Sequence, residues 1–368
     1  MSCPLPDEVL AKIISYLSAK AFFKLLHVCK SFYQLSSDSH FLVSQSYHNK
    51  AISGFFINNY NIFKSFIPID PCASVPNTSI EFLRKSEAMI LGSTGGLIFV
   101  VHKEDRWFDA IASRLWIYNG LWVYNPARRT RCQLPSPPGK CVRGGIAVRF
   151  MSTRDAMMTD YKLVYLAHRP TWSLLHHCRV YDSVARAWTM DKELDFGGRE
   201  LDLEHPVVYG DTVFWASSDS YVVAFDVREE CTQIIPMPKD VIINDFNTIG
   251  LAKWEGKSLC LIHYNMIHCG FVLWLVKETS GSASGWVKAQ EISLFELGLR
   301  ELCFVNFVVL SEMASTMLLT FTTYEGVYSY NINDGELKKL ALLEFYRTPT
   351  FFPYSNTLQT CGEQEELF

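Results

Sequence analysis

The chain has 368 residues, 49% hydrophobic and 14% aromatic, with a formal net charge of -4. That is enough apolar material for a large core, and the slightly acidic balance leaves no electrostatic footprint for nucleic acid. No run reaches the roughly 18 apolar residues of a spanning helix, the opening MSCPLPDEVL has no basic or apolar leader, and the eleven cysteines contain no C-x-x-C pair. Together these predict a soluble protein of the cytoplasm or nucleus, with reduced thiols and no membrane contact.

Residues Leu5 to Phe41 are too apolar for a solvated tail. At helical spacing they break into three segments, Asp7 to Leu17, Lys20 to Leu26 and Val28 to Leu35. Pro6 suits the first helical position, and Asp7 with Glu8 suits the first turn, where carboxylates meet the positive end of the helix dipole. Three short helices rarely fold alone. They either dock on the rest of the chain or offer an apolar face to another protein, and composition does not choose between these. Cys29, between Val28 and the Phe32 turn, reads as a small core residue rather than a nucleophile.

The order Leu5-Pro6, an acidic residue, Val9-Leu10, Leu17, Ala19-Lys20, Val28-Cys29-Lys30-Ser31-Phe32, Asp38 and Phe41 resembles the F-box, especially its plant form. Ser18 stands where that motif usually has proline, and Phe32 where it usually has tryptophan. The resemblance implies a docking surface for a Skp-type adaptor, and through it a cullin and a ubiquitin ligase. It places Leu5, Pro6, Val9, Ile13, Leu17, Val28, Cys29 and Phe32 in the adaptor-binding site. The apolar excess of the helices is then assigned to a missing partner.

After Ala51 the helical period gives way to short apolar runs separated by Gly, Asn, Asp and Pro, the pattern of an all-β array. Candidate strands are Leu97 to Val101, Leu121 to Tyr124, Ile146 to Phe150, Lys162 to Leu166, Thr212 to Ala216, Tyr221 to Phe225, Leu259 to His263, Phe271 to Val276, Met317 to Phe321 and Val327 to Tyr330. Several are apolar on both alternating faces, as in Val213-Phe214-Trp215-Ala216, so both sides of their sheet must be covered. Blades that pack on a neighbour at each face meet that demand. Four times an aromatic followed by Asn or Asp ends a strand before a short polar turn: Tyr124-Asn125, Tyr181-Asp182, Phe225-Asp226 and Tyr330-Asn331. The spacing is near 50 residues, with about twice that before the last copy, a kelch-like period. A degenerate copy with Trp274 in the aromatic place and a longer loop, Ser280 to Gly285, fills the gap.

GSTGGLIFV from Gly92, LWVYNPARRTRCQLPSPP from Leu121, CRVYDSVARAWTM, PVVYGDTVFWASSDSYVVAFDVREECTQIIPMP and LAKWEGKSLCLIHYN are similar to successive motifs of the plant F-box-associated domain, a relative of the kelch F-box proteins. The fold expected is mainly β with a small N-terminal α-helical module: a three-helix F-box over residues 1–48, a kelch-like β-propeller over 51–361, and an acidic tail over 362–368. Six blades are expected, with seven as the alternative. Pro68 to Ser79 reads as an excursion between strands. Tyr346 to Thr360 offers a closing strand beside Gly54 to Ile57, which would remove an exposed edge.

Candidate chemistry reads as structural. His176, His177 and Cys178, and Cys260, His263, His268 and Cys269, carry metal-ligating groups, but Cys260 and His263 face opposite sides of one strand. Gly92-Ser93-Thr94-Gly95-Gly96 precedes a strand and reads as a hairpin turn, not a phosphate loop. Arg128, Arg129 and Arg131 read as a solvated turn. No cofactor or metal is called for, and no catalytic residue. The function expected is a non-catalytic substrate receptor of a Skp-cullin-F-box ligase that holds an unidentified protein target. The alternative is a propeller scaffold or transcriptional co-regulator outside a ligase. Loops at 143–145, 152–159, 197–203 and 280–285 are candidates for target contact by length and polarity.

Overall fold

The computed structural model describes residues 5–49, 51–59, 62–69, 74–109, 115–118, 120–135, 137–138, 141–142, 144–150, 160–168, 175–244, 248–277, 285–299, 305, 307–313, 316–342, 349–362 and 364–368. Two units divide the chain: Met1–Tyr165 with Cys178–Lys192 and Phe351–Phe368, and Leu166–His177 with Glu193–Thr350.

The first unit opens with four helices, one more than expected: α1 (Asp7–Ser15), α2 (Ala19–Leu25), α3 (Lys30–Leu35) and α4 (Ser39–His48). Two begin at side-chain caps. Ser18 Oγ accepts from the Ala21 N–H at 3.3 Å, and Asp38 Oδ1 accepts from the Phe41 N–H at 2.7 Å. Ser18 therefore supplies a cap where the motif's proline would supply rigidity. The apolar spacing does not reveal α4, because Ser39, His40, Ser44 and Ser46 dilute its period. One face of the module packs on Ile14, Ala19, Phe22, Phe41 and Leu42, in a cluster that includes Ala127 and Leu358 of the β region. Buried Gln45 fastens this contact: its amide nitrogen donates to the Leu17 carbonyl at 2.9 Å, and its oxygen accepts from the Leu358 N–H at 2.8 Å. Much of the helical apolar excess thus belongs to an internal interface, a correction to its assignment to a missing partner.

The β region of this unit begins with the hairpin β1 (Gly54–Asn59) and β2 (Ile62–Pro68), followed by α5 (Asn77–Lys85), which buries Ser79 and Leu83. The stretch Pro68 to Ser79, read as an excursion between strands, therefore runs into a helix at its end. Next come β3 (Met89–Thr94) and β4 (Leu97–Val101), a small excursion of β5 (Arg106–Asp109) and β6 (Leu115–Tyr118), then β7 (Leu121–Asn125), β8 (Thr130–Leu134) and β9 (Cys141–Val142). The expected glycine turn joins β3 to β4: Gly95 and Gly96 both take positive φ, 54° and 89°, as a two-residue hairpin loop requires. A sheet of β10 (Gly144–Phe150), β11 (Tyr161–His168), β12 (Leu175–Asp182) and β13 (Ala187–Asp195) is cut by the division.

The second unit holds three four-stranded meanders: β14 (Val207–Tyr209) to β17 (Cys231–Pro236) through β15 (Thr212–Ala216) and β16 (Tyr221–Asp226); β18 (Thr248–Trp254), β19 (Ser258–Asn265), β20 (Gly270–Lys277) and β21 (Gly285–Ser293); and β22 (Phe307–Met313), β23 (Thr316–Thr323), β24 (Gly326–Asn331) and β25 (Leu337–Leu342). The chain ends in β26 (Thr350–Tyr354) and β27 (Glu366–Leu367). Every candidate strand falls inside one of these elements. Among the described residues the large sheets number six, beside the small sheet β5-β6-β9, and β26 pairs with β1 as the closing strand expected there. Residues 346–348 of that expected segment lie outside the described residues.

Coverage on both faces is direct in β19. Cys260, Ile262 and Tyr264 enter one apolar cluster, with Phe271, Leu319 and Phe321, while Leu259 and Leu261 enter another, with Phe214, Val222 and Ile235. Burial pushes the Cys260 thiol pKa up to about 12, so it is an inert core residue.

The aromatic–Asx repeat closes a five-residue turn. Asn125, Asp182 and Asp226 each accept from two successive backbone N–H groups at 2.8–3.2 Å, and Asn331 accepts from one at 3.0 Å. Four residues after each Asx the chain turns left-handed, at Arg129, Arg186, Glu230 and Gly335. Asn265, with Tyr264 before it, makes the same turn one hairpin earlier in its sheet and ends at Cys269, φ 47°. A glycine marks only one of these turns, which is why the sequence shows the Asx and hides the rest. Asp226→Ala removes a half-buried acceptor of two N–H groups, and urea titration is expected to show a loss of about 1–2 kcal/mol. A second period accompanies the first: Trp188 Nε1 donates to the Pro135 carbonyl at 2.9 Å, and Trp286 Nε1 to the Pro236 carbonyl at 2.7 Å, across 53 and 50 residues.

Residues 365–368 of the acidic tail are held against the β region. The strand β27 pairs antiparallel with β8, Glu366 opposite Arg131 and Leu367 opposite Thr130. Glu365 pairs with Arg128, and Glu366 with Arg131 at 2.6 Å. Arg128 and Arg131 are therefore engaged side chains, which corrects the reading of their run as a solvated turn.

Candidate functional site

Helix α1 is apolar on two sides. Leu10, Ile14 and Leu17 turn inward to the cluster with Phe22, while Leu5, Val9, Ile13 and Tyr16 stay 43–59% exposed along the opposite side. Spacings of four and three residues place Val9, Ile13 and Tyr16 on one stripe, and Leu5 lies just before the helix that carries it. A short helix that packs only inward has no use for that stripe, and contiguous exposed apolar surface marks a contact site.

The second part of the exposed surface lies at the turn into α3. Val28 is 65% exposed, and Cys29 is an exposed N-cap in extended backbone, φ -156° and ψ 163°. Cys29 is thus not the core residue it resembled. Helix α3 starts at Lys30, two residues later than the apolar spacing suggested, because the extended Cys29 breaks the period.

Of the eight residues assigned to adaptor binding, the structure leaves Leu5, Pro6, Val9, Ile13, Val28 and Cys29 exposed. It brings Leu17 and Phe32 half-buried against the internal cluster. Tyr33, beside Phe32, is 66% exposed and is the aromatic available to a partner from α3. Tyr16 joins the stripe on α1. Neither belongs to the set that the resemblance implies; the sequence signal for Tyr16 is its place seven residues after Val9.

A cavity of about 590 Å³ lies in the first unit, with Phe23, Lys24 and His27 on the helical side and Ala127, Arg129 and Leu367 on the β side. In the second unit, Leu201, Asp202 and Ser217 line a cavity of about 310 Å³, within the loop read as a candidate at 197–203. Residues 143, 152–159 and 280–284 of the other candidate loops lie outside the described residues. Among the described residues, no three His, Cys, Asp or Glu side chains converge as a metal site, and no helix is long and apolar enough to cross a membrane.

Comparison with known proteins follows the same division. An F-box-like family profile matches residues 3–47. The profile described as F-box protein AT5G49610-like, beta-propeller matches residues 96–301, more than half of the chain. F-box protein At5g49610 of Arabidopsis thaliana is 24% identical over 271 residues, 68% of this chain and 70% of the relative. F-box protein At5g07610 of the same plant is 24% identical over 249 residues, 63% of this chain and 56% of the relative. Among solved structures, BBS1N in complex with ARL6DN covers 68% of this chain and 77% of its own at 12% identity and a TM-score of 0.37, a likeness that carries no argument. The β region is a β-propeller, and its large sheets are six blades.

Proposed function

Because the chain belongs to the F-box protein At5g49610-like β-propeller family, we propose that it is the substrate-recognition subunit of a Skp-cullin-F-box ubiquitin ligase, acting in the cytoplasm or nucleus and without catalysis of its own. The observation that carries this reading is the stripe Leu5, Val9, Ile13 and Tyr16 with Val28 and Tyr33 beyond it, apolar and exposed on a module whose other face is already packed. A Skp-type adaptor covers the stripe and joins the chain to the cullin, and the propeller holds a target protein. The complex gains rate by proximity, because a held target presents its lysines at high effective concentration to the charged ubiquitin carrier.

Val28→Glu tests the reading. A charge at the centre of a desolvated contact is expected to lower adaptor capture by at least about thirtyfold, the ~2 kcal/mol of a hot-spot residue. With Val28 65% exposed, the melting temperature stays unchanged. Undiminished capture sinks the site assignment. The scaffold or co-regulator reading accounts for the inner helical face on Ala127 and Leu358, but leaves the outer stripe without a role and expects no adaptor capture by the wild type.

A further inference from the structure

We propose that the outer edge of β8, with Arg128, Arg131 and the aromatic socket beside them, is a docking site for an acidic extended segment of a target protein, and that residues 365–368 occupy it in cis. That the bound protein is a target rests on the receptor reading above; the docking itself does not.

The site has three parts. Backbone pairing comes first: among the described residues β27 pairs with Thr130 and Arg131, and the Phe368 N–H donates to the Arg129 carbonyl at 3.1 Å. Charge comes second: Arg128 holds Glu365, and Arg131 Nε holds Glu366 at 2.6 Å. The third is the socket. The Phe368 ring lies 4.6 Å from Phe82 and 5.1 Å from Tyr124, centre to centre. The Arg131 guanidinium lies over Trp122 at 5.0 Å and over Phe82 at 5.5 Å. His102 meets the Trp122 ring edge-on at 5.7 Å and hydrogen-bonds the Tyr124 hydroxyl. Glu366 and Phe368, two apart on a strand, share the recognised face, while Leu367 between them is 78% exposed.

This is strand addition, in which main-chain bonds give affinity and pockets for alternate side chains give specificity. The chemistry selects Glu-Glu-x-Phe in extended form. The cis occupant underuses the site, since β8 runs on through Cys132, Gln133 and Leu134 with no strand partner on that edge among the described residues. A partner segment with residues before its Glu-Glu pair can continue the ladder there. It competes against a tethered but short cis strand, whose advantage is effective concentration alone.

The test titrates a fluorescent peptide GEQEELF into the full chain. Wild type binds weakly because its own segment competes, and Phe368→Ala, with the cis ring removed, binds at least about tenfold more tightly. On the Phe368→Ala background, Arg131→Glu abolishes binding of GEQEELF and confers binding of GKQKKLF, a charge exchange that a misfolded chain cannot produce. If Phe368→Ala lowers the melting temperature markedly, Glu365→Lys with Glu366→Lys empties the site with the socket intact and is expected to bind GEQEELF in the same way. No saturable binding by either emptied variant, or binding indifferent to Arg131→Glu, overturns the proposal. Adaptor capture by the same variants stays at the wild-type level, which separates failure here from failure of the receptor reading.

Discussion

Asn125→Ala is expected to lower the unfolding free energy by about 3–5 kcal/mol, several times the effect of Asp226→Ala at the equivalent turn. The two residues share a motif but not an environment. Asn125 is fully buried and makes four hydrogen bonds: its oxygen accepts from the Ala127 and Arg128 N–H groups, and its amide nitrogen donates to the carbonyls of Thr357 and Gln359 at 3.0 and 2.6 Å. Alanine leaves buried groups without partners on both sides, and each costs more to orphan than its bond contributes. Asn125→Asp separates the two halves. It keeps the turn but sets a carboxylate against two carbonyls, so burial and repulsion raise its folded-state pKa. Because the folded pKa then lies above the unfolded one, the variant is most stable at low pH and loses stability as pH rises through the folded value. Urea titration at several pH values checks the sign. Cys361 reports locally: its thiol is buried, pushed up by burial, and bonded to Thr130. Its modification is expected to accelerate in both variants, and a rate equal to wild type would show that the segment 355–361 is held by other contacts.

The propeller was legible because its demands repeat. Strands such as β15 and β19, covered on both faces, carry no polar alternation, and each Asx spends its side chain on a turn that the sequence prints beside an aromatic. The closing strand was legible for the same reason: Phe351, Phe352 and Tyr354 are apolar on a segment otherwise expected to be solvated. What the sequence hides depends on partners distant along the chain. Asn125 looks like any turn asparagine until residues 357 and 359 arrive at its amide. Arg128 and Arg131 look like a solvated run until Glu365 and Glu366 meet them. In the helical module, composition gave the apolar total but not its division between two faces. The resemblance places Phe32 in the site because it stands at the motif's tryptophan position, while the extended Cys29, which sets the phase of α3, leaves Tyr33 as the exposed aromatic.

That division sets the second large effect. Phe22→Ala is expected to cost about 3–5 kcal/mol, the range for truncating a fully buried aromatic. Phe22 is wholly inaccessible, 4.8 Å from the Phe41 ring, in the cluster that joins Ile14, Ala19 and Leu42 to Ala127 and Leu358. Its cluster lies on the inner face of the module and contains none of Leu5, Val9, Ile13 and Tyr16, so the loss is expected to fall on the attachment of the module more than on the surface it presents. If the module is part of the first unit, the helical dichroism and the protection of Cys361 fail together in urea, at a lower midpoint than wild type. An autonomous module would melt first and leave Cys361 protected, and that outcome would sink the internal interface. Leu358→Ala probes the same joint from the β side, with an expected loss of about 2–4 kcal/mol. It leaves every residue of the stripe in place, so adaptor capture persists. A rigid connection concentrates a held target at one place better than a loose one does, so on the receptor reading a loosened joint is expected to leave adaptor binding normal while ubiquitin transfer to the target slows.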